Sequence, residues 1–194
     1  ADVEESVARH LEHALHLREE LGARGERSAA LAARAGELFA SAGSRAFTAL
    51  DYITARDFLS RAAAHLPEGS PRRMEILPSL GAALAESGRA KESDALLTEA
   101  VGHARATGSE RDALRASLQL LSNRVFRSSD EAEIESASVE ARRAFGVLEA
   151  SGDEIGMAEA ATVVTNLEYA RAHCDEAQRW AIRAMFRALA AGRP

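Results

Sequence analysis

The stretch Leu77-Pro-Ser-Leu80-Gly81, followed by Ser93, Leu97 and Ala100, decides the fold of this chain. It places large residues and a glycine in one helical segment, and small-large-small spacing in the next. Small residues let two helices approach closely, and a glycine in the first helix makes room for its partner. The pattern therefore predicts a pair of tightly packed antiparallel helices.

Related patterns recur on both sides of this pair. The preceding unit has Phe39, Ala42-Gly43, Ala55, Leu59, Ala62 and a closing Pro67, and near the end Ala177, Ala181 and Ala184 repeat the second-helix pattern after Val164-Thr165. Residues 110–150 must hold another pair, whose register fits either Ala137-Ala141-Ala144 or, more loosely, Ala141-Phe145-Leu148. The equivalent positions Ala55 and Ser93 are 93 − 55 = 38 residues apart. The sequence resembles the tetratricopeptide repeat (TPR), whose usual period is about 34 residues. This resemblance implies an all-α, right-handed solenoid of stacked helix pairs.

Apolar residues at three- and four-residue spacing predict about nine helices, with no alternating strand pattern between them. Their predicted bounds are 4–21, 27–49, 52–66, 72–87, 90–106, 110–127, 131–150, 154–171 and 174–191. Asp51, Ser109, Ser129 and Asp153 stand at N-cap positions, and Gly22, Gly88 and Gly108 at chain reversals. We expect residues 1–26 to form a helix linking to an upstream module. Residues 27–194 then form the repeat domain, with pairs at 27–67, 72–106, 110–150 and 154–191.

Composition narrows the functional class. The net charge of −6 gives no electrostatic footprint for nucleic acid. No apolar run approaches the roughly 20 residues that span a bilayer, and the first residues lack the pattern of a signal peptide. The single Cys174 forms no internal disulfide, which favours a cytoplasmic setting. Because the chain starts without Met and stops at Gly-Arg-Pro, we expect it to be a fragment of a larger protein.

A more specific resemblance begins at His10-Leu-Glu-His-Ala14 and Leu17-Arg-Glu-Glu-Leu-Gly22, and continues from Ala55 to Gly81. These segments resemble the TPR-like region of large bacterial signalling ATPases of the STAND type. Other modules of such proteins include class III nucleotide cyclases and DNA-binding domains. The resemblance is clearest over residues 7–105 and implies a regulatory segment whose repeats bind a partner or inducer and control the ATPase.

Catalytic motifs are missing from the sequence. There is no G-x-x-x-x-G-K-[ST] phosphate loop, and Lys91 is the only lysine. His10, His13 and His16 recur every third residue, but this spacing drifts around a helix, so packed or surface roles are favoured over metal binding. The adjacent His173 and Cys174 lie in a predicted turn, which rarely gives nucleophile and base the required geometry. We therefore expect a non-enzyme without cofactor or metal.

Binding is predicted on the first helix of each pair, which lines the concave surface of a TPR stack. The resemblance assigns this face Glu37, Ser44, Phe47, Thr48, Glu75, Ala82, Glu86, Glu159, Asn166 and Tyr169. Phe47 and Tyr169 are the candidate anchors for a protein or peptide partner, which could be another module of the same parent chain. The alternative for both rings is packing between neighbouring helices.

A second functional hypothesis is a structural spacer or self-association module. Trp180, Met185 and Phe186 lie in the last predicted helix, where the end of a solenoid would expose apolar surface. A homodimer through the repeat ends is the partner that this hypothesis implies.

Overall fold

The computed structural model describes residues 3–125, 127 and 130–192. Within these ranges the chain is all-helical and forms nine α-helices without a strand. They are α1 (Val3–Glu20), α2 (Glu26–Thr48), α3 (Tyr52–His65), α4 (Pro71–Glu86), α5 (Ala90–Ala106), α6 (Glu110–Val125), α7 (Glu131–Ala150), α8 (Glu154–Ala170) and α9 (Cys174–Ala190). Every predicted helix is present, with ends within two residues of the predicted ones.

Helix starts and reversals follow from local chemistry. The Asp51 carboxylate accepts a hydrogen bond from the Thr54 backbone N–H at 3.1 Å, and Asp153 accepts one from Gly156 at 2.9 Å. The Ser129 N-cap prediction is wrong, because Asp130 caps α7 through the Ala132 N–H; Ser129 itself lies outside the described residues. At the next predicted cap, the Ser109 hydroxyl donates to the Asp112 carboxylate at 2.7 Å.

The predicted reversal glycines have the backbone that their positions require. Gly22, Gly88 and Gly108 adopt positive φ angles of 67°, 78° and 74°. Glycine reaches this left-handed region without a Cβ penalty, which suits the residue just after a helix. Two residues with a Cβ adopt the same left-handed backbone just after a helix. They are Leu50, with φ 61°, and Ala172, with φ 59°.

The helices divide into two compact units, one ending at Leu96 and the other beginning at Leu97, so the boundary falls inside α5. In the first unit α1 packs on α2, α2 packs on α3, and α4 contacts both α3 and α2. A Cβ built on Gly43 would lie 2.7 Å from Cγ of Leu59, so α2 and α3 touch through a glycine. Ser93 of α5 is fully buried and donates its hydroxyl to the Gly81 carbonyl of α4 at 2.7 Å.

The second unit repeats this packing. Here α6 packs on α7, and α8 contacts both α7 and α6 before α9 packs on α8. Its core contains fully buried Leu148, Met157 and Val164. The Phe145 and Trp180 rings meet edge to face, with centroids 5.2 Å apart. In both units the first helix of a pair contacts both helices of the preceding pair, which is consistent with a helical repeat solenoid.

Candidate functional site

In the first unit, seven predicted binding residues lie on α2 and α4. They are Glu37, Ser44, Phe47 and Thr48 on α2, and Glu75, Ala82 and Glu86 on α4. Ala82 is buried in the core. Arg72, in the first turn of α4, connects the two helices at this face. Its Nε lies 3.2 Å from Oε2 of Glu37, and its Nη1 donates to Glu75 at 2.8 Å. Two of the predicted binding carboxylates are therefore engaged by one guanidinium.

Phe47 lies at the end of α2, beside the turn into α3. Its half-buried ring packs edge to face on Tyr52, with centroids 5.6 Å apart. The hydroxyl of Thr48 donates back to the Ser44 carbonyl at 3.0 Å, an ordinary local bond within a helix. Phe47 thus packs on the neighbouring helix while part of its ring stays accessible to solvent. Glu86, at the end of α4, is exposed.

In the second unit, Glu159, Asn166 and Tyr169 share one face of α8. Their spacing of seven and then three residues brings them onto one stripe about 15 Å long. At one end Glu159 accepts two hydrogen bonds of 2.7 Å from the guanidinium of Arg115 on α6, whose side chain is 4% exposed. At the other end the Tyr169 ring is 73% exposed, and Asn166 between them is exposed as well. This stripe, which we call the α8 face, combines a fixed ion pair with an accessible aromatic ring.

A buried polar cluster in the second unit was not predicted from the sequence. Glu168, on the opposite side of α8 from the α8 face, is 1% exposed, and four polar side chains lie within hydrogen-bond distance of its carboxylate. Ser138 donates its hydroxyl at 2.5 Å, Arg142 approaches to 3.1 Å, Nδ1 of His173 lies at 2.9 Å, and Nη1 of Arg171 lies at 3.5 Å. Burial by itself raises the pKa of this carboxyl, but the hydrogen bonds from Ser138, His173 and Arg142 lower it to about 2.

Arg142 extends this cluster to α9. Its second terminal nitrogen donates to Glu176 at 2.9 Å, and its guanidinium lies 5.3 Å from the centre of the Trp180 ring. Hydrogen bonds from Arg179 and Arg142 lower the pKa of Glu176 to about 2 as well. Both carboxylates are ionised at neutral pH, so they hold α7, α8 and α9 together rather than carry a proton.

The sequence does contain a pattern that marks Glu168 as a buried residue. It follows Ala161 and Val164 at helical spacing, so it occupies the apolar stripe of α8, where a lone carboxylate needs buried partners. Those partners could not be identified from sequence, because Ser138 and Arg142 belong to another helix.

His16 lies in the first unit, whereas His173 and Cys174 lie next to each other at the start of α9 in the second unit. His16 of α1 lies 3.2 Å from Glu20, with both side chains largely exposed. The ring of His173 is directed to Glu168, and Cys174 is exposed at the start of α9. His173 and Cys174 line an open depression of about 360 Å³ together with Arg179. Among the described residues, no group of three or more His, Cys, Asp or Glu side chains is arranged to hold a metal ion.

Of the three residues expected at an exposed end, Trp180 is placed differently from the prediction. It is 5% exposed, because its ring packs on Phe145 in the core, whereas Met185 and Phe186 do face solvent.

In the described part of the chain, no helix has the length and apolar character to cross a membrane. Comparison of the chain with protein-family models, curated proteins and solved structures gives no match.

Proposed function

We propose that this chain is a non-catalytic protein-interaction segment of a larger cytoplasmic signalling protein, and that it binds a protein or peptide partner through the first helices of its repeat pairs. The observation that carries the proposal is the Tyr169 ring, which is 73% exposed on the α8 face. Tyrosine supplies a large contact area at low conformational cost, and buried rings of this type dominate many interfaces.

The surroundings of Tyr169 support this role. Asn166, one turn away, offers amide donors and acceptors to a peptide backbone. The Arg115–Glu159 pair fixes α8 against α6, so the face is presented by a helix that is held in place on both sides. A rigid surface loses less entropy on binding than a mobile one does.

The regulatory part of the proposal comes from the resemblance to STAND-type ATPases. In such a protein, a partner or inducer bound at the repeats would alter the state of the upstream ATPase. The chain itself would then act by binding alone, with its ionised Glu168 and Glu176 serving helix packing.

The test is affinity capture of a partner on the immobilised chain, followed by quantitative binding with variants. We expect Tyr169→Ala to weaken binding of the captured partner at least tenfold, and Asn166→Ala to weaken it by less. The matched control is Val139→Ala, since Val139 is 64% exposed on a different helix, α7. A partner whose affinity drops with Val139→Ala but not with Tyr169→Ala would contradict the proposed binding face.

A further inference from the structure

The outward face of α9 carries an apolar stripe that no described residue covers. Ile182, Met185, Phe186 and Leu189 follow one another at i, i+3, i+4 and i+7 and are between 45% and 62% exposed. The buried side of the helix, with Ala177 and Trp180, points the other way and packs on the rest of the unit. An amphipathic helix normally turns one stripe to the core. This helix has two.

The two edges of the stripe differ in charge. Arg179, Arg183 and Arg187 form a row at four-residue spacing along one edge, whereas Cys174, Ala181 and Ala188 lie along the other. The basic edge is partly neutralised within the unit. Arg179 pairs with Glu176, and Arg187 pairs with Glu154 and Glu149. Asp175 is exposed near the N-terminal end of the stripe.

Arg183 differs from Arg179 and Arg187 in that its charge is available to a binding partner. Its guanidinium lies 4.5 Å from the centre of the Trp180 ring, and it forms no ion pair with any described residue. The ring contact holds the charge beside the apolar stripe, at the level of Ile182 and Phe186. Together the stripe and its edge offer apolar contacts at helical spacing, one oriented cation and a small-residue side that allows close approach.

From this arrangement we infer that the outward face of α9 is a docking site for an amphipathic helix of another protein, one with acidic residues along a single edge of its apolar stripe. Helix-on-helix recognition uses anchors at i, i+3, i+4 and i+7, which is the spacing found here. An acidic edge in the partner complements Arg183, since Arg179 and Arg187 already pair with carboxylates of this chain. This inference goes beyond the α8 face, since it concerns a different helix and specifies the chemistry of the partner.

An antiparallel pair of two copies of the chain fits this face less well. When two identical helices pair antiparallel about a two-fold axis, the same edge of each helix meets its equivalent. Arg183, which forms no ion pair with any described residue, would then lie on the same edge as its equivalent in the other copy, and like charges at short range oppose association.

The experiment titrates the chain into two fluorescent helical peptides and follows anisotropy. Both peptides match α9 in its length of 17 residues and carry leucines at i, i+3, i+4 and i+7. One has glutamates along one edge of its stripe, and the other has lysines there. We expect the glutamate peptide to bind roughly threefold to thirtyfold more tightly, with the difference shrinking at high salt.

Variants locate the site. Phe186→Asp should abolish binding of the glutamate peptide, and Arg183→Glu should remove or invert the preference between the peptides. Val139→Asp, a matched change on α7, should leave binding unchanged. Tyr169→Ala should also leave it unchanged, so failure here is distinguishable from failure of the α8 face.

Three results would overturn the inference. Equal affinity for the two peptides would remove the charge argument. A dimer in light scattering that Phe186→Asp dissociates would assign the stripe to a second copy. Binding to phosphatidylserine-containing vesicles, with none to either peptide, would assign it to a lipid surface.

Discussion

Nδ1 of His173 lies 2.9 Å from Oε2 of Glu168, so the turn before α9 is tied to a carboxylate that α8 buries almost completely. The same carboxylate accepts hydrogen bonds from Ser138 and Arg142 of α7. One ionised group therefore connects two helices and a turn, and removing its charge affects all of them at once.

This relationship predicts an acid-sensitive contribution to stability. The pKa of Glu168 is lowered from an ordinary 4.5 to about 2 in the folded chain. A lowered folded-state pKa means that the stabilisation is fully present above pH 4.5 and is lost as the pH falls towards 2. The shift corresponds to about 3 kcal/mol at neutral pH.

Glu168→Gln should therefore lower the free energy of unfolding at pH 7 by about 3 kcal/mol and flatten its dependence on pH in this window. Urea denaturation at a series of pH values measures both effects. Glu140→Gln is the control, since Glu140 is exposed on α7 and does not take part in the contacts of Glu168. If Glu168→Gln changed stability no more than the control, the cluster would not hold the helices together as described.

The close contact of α2 and α3 leads to a second prediction. A Cβ on Gly43 would lie 2.7 Å and 2.8 Å from side-chain atoms of Leu59, and 3.1 Å from its backbone nitrogen. Leu59 is fully buried, and its backbone nitrogen is among the atoms that the new Cβ would meet. Gly43→Ala should therefore destabilise the chain by about 1–3 kcal/mol, although alanine is the better helix former.

Gly146→Ala is the matched comparison for Gly43→Ala. Gly146 is exposed on α7, and a Cβ there would meet no atom within 4 Å. Alanine should raise the free energy of unfolding by up to about 1 kcal/mol through helix propensity alone. Thermal and urea unfolding should give opposite signs for the two variants; the same sign for both would argue against close packing at Gly43.

How far the sequence determines these features depends on the distance between the interacting residues. Gly43 and Ser93 were predictable as small helix-contact positions, because the pattern that marks them is local. Glu168 was missed, since its hydrogen-bond partner Ser138 is 30 residues away. Trp180 was expected near an exposed end, yet Phe145 of α7 covers it. A helical period shows that a residue faces some neighbour, but it does not identify that neighbour. The residues assigned to the concave surface remain a prediction for the same reason.

A third prediction concerns backbone strain at Leu50. This residue has a φ of 61°, and its side chain is 69% exposed. A left-handed conformation costs a residue with a Cβ about 1–2 kcal/mol, and little packing is lost when this side chain is removed. Leu50→Gly should raise the free energy of unfolding by about 0.5–1 kcal/mol, after the greater entropy of glycine in the unfolded chain is subtracted.

The control for Leu50 is Ile53→Gly. Ile53 is 68% exposed, but it lies within α3, where glycine weakens a helix. This variant should be destabilised, so thermal unfolding should separate the pair by about 1 kcal/mol or more. A loss of stability in both variants would show that the Leu50 side chain contributes more than its backbone costs.

The last prediction concerns the ion pair that supports the α8 face. Arg115 and Glu159 are joined by two hydrogen bonds of 2.7 Å, and the Arg115 side chain is only 4% exposed. A double-mutant cycle with Arg115→Ala and Glu159→Ala should give a coupling energy of about 1–3 kcal/mol. The Arg45–Glu4 pair has the same 2.7 Å separation, but both side chains are 49% exposed, so its coupling should stay below about 1 kcal/mol. Equal coupling in the two cycles would mean that burial does not strengthen the α6–α8 pair. The α8 face would then lack the rigid support that its binding role requires, and Arg115→Ala would leave partner affinity unchanged.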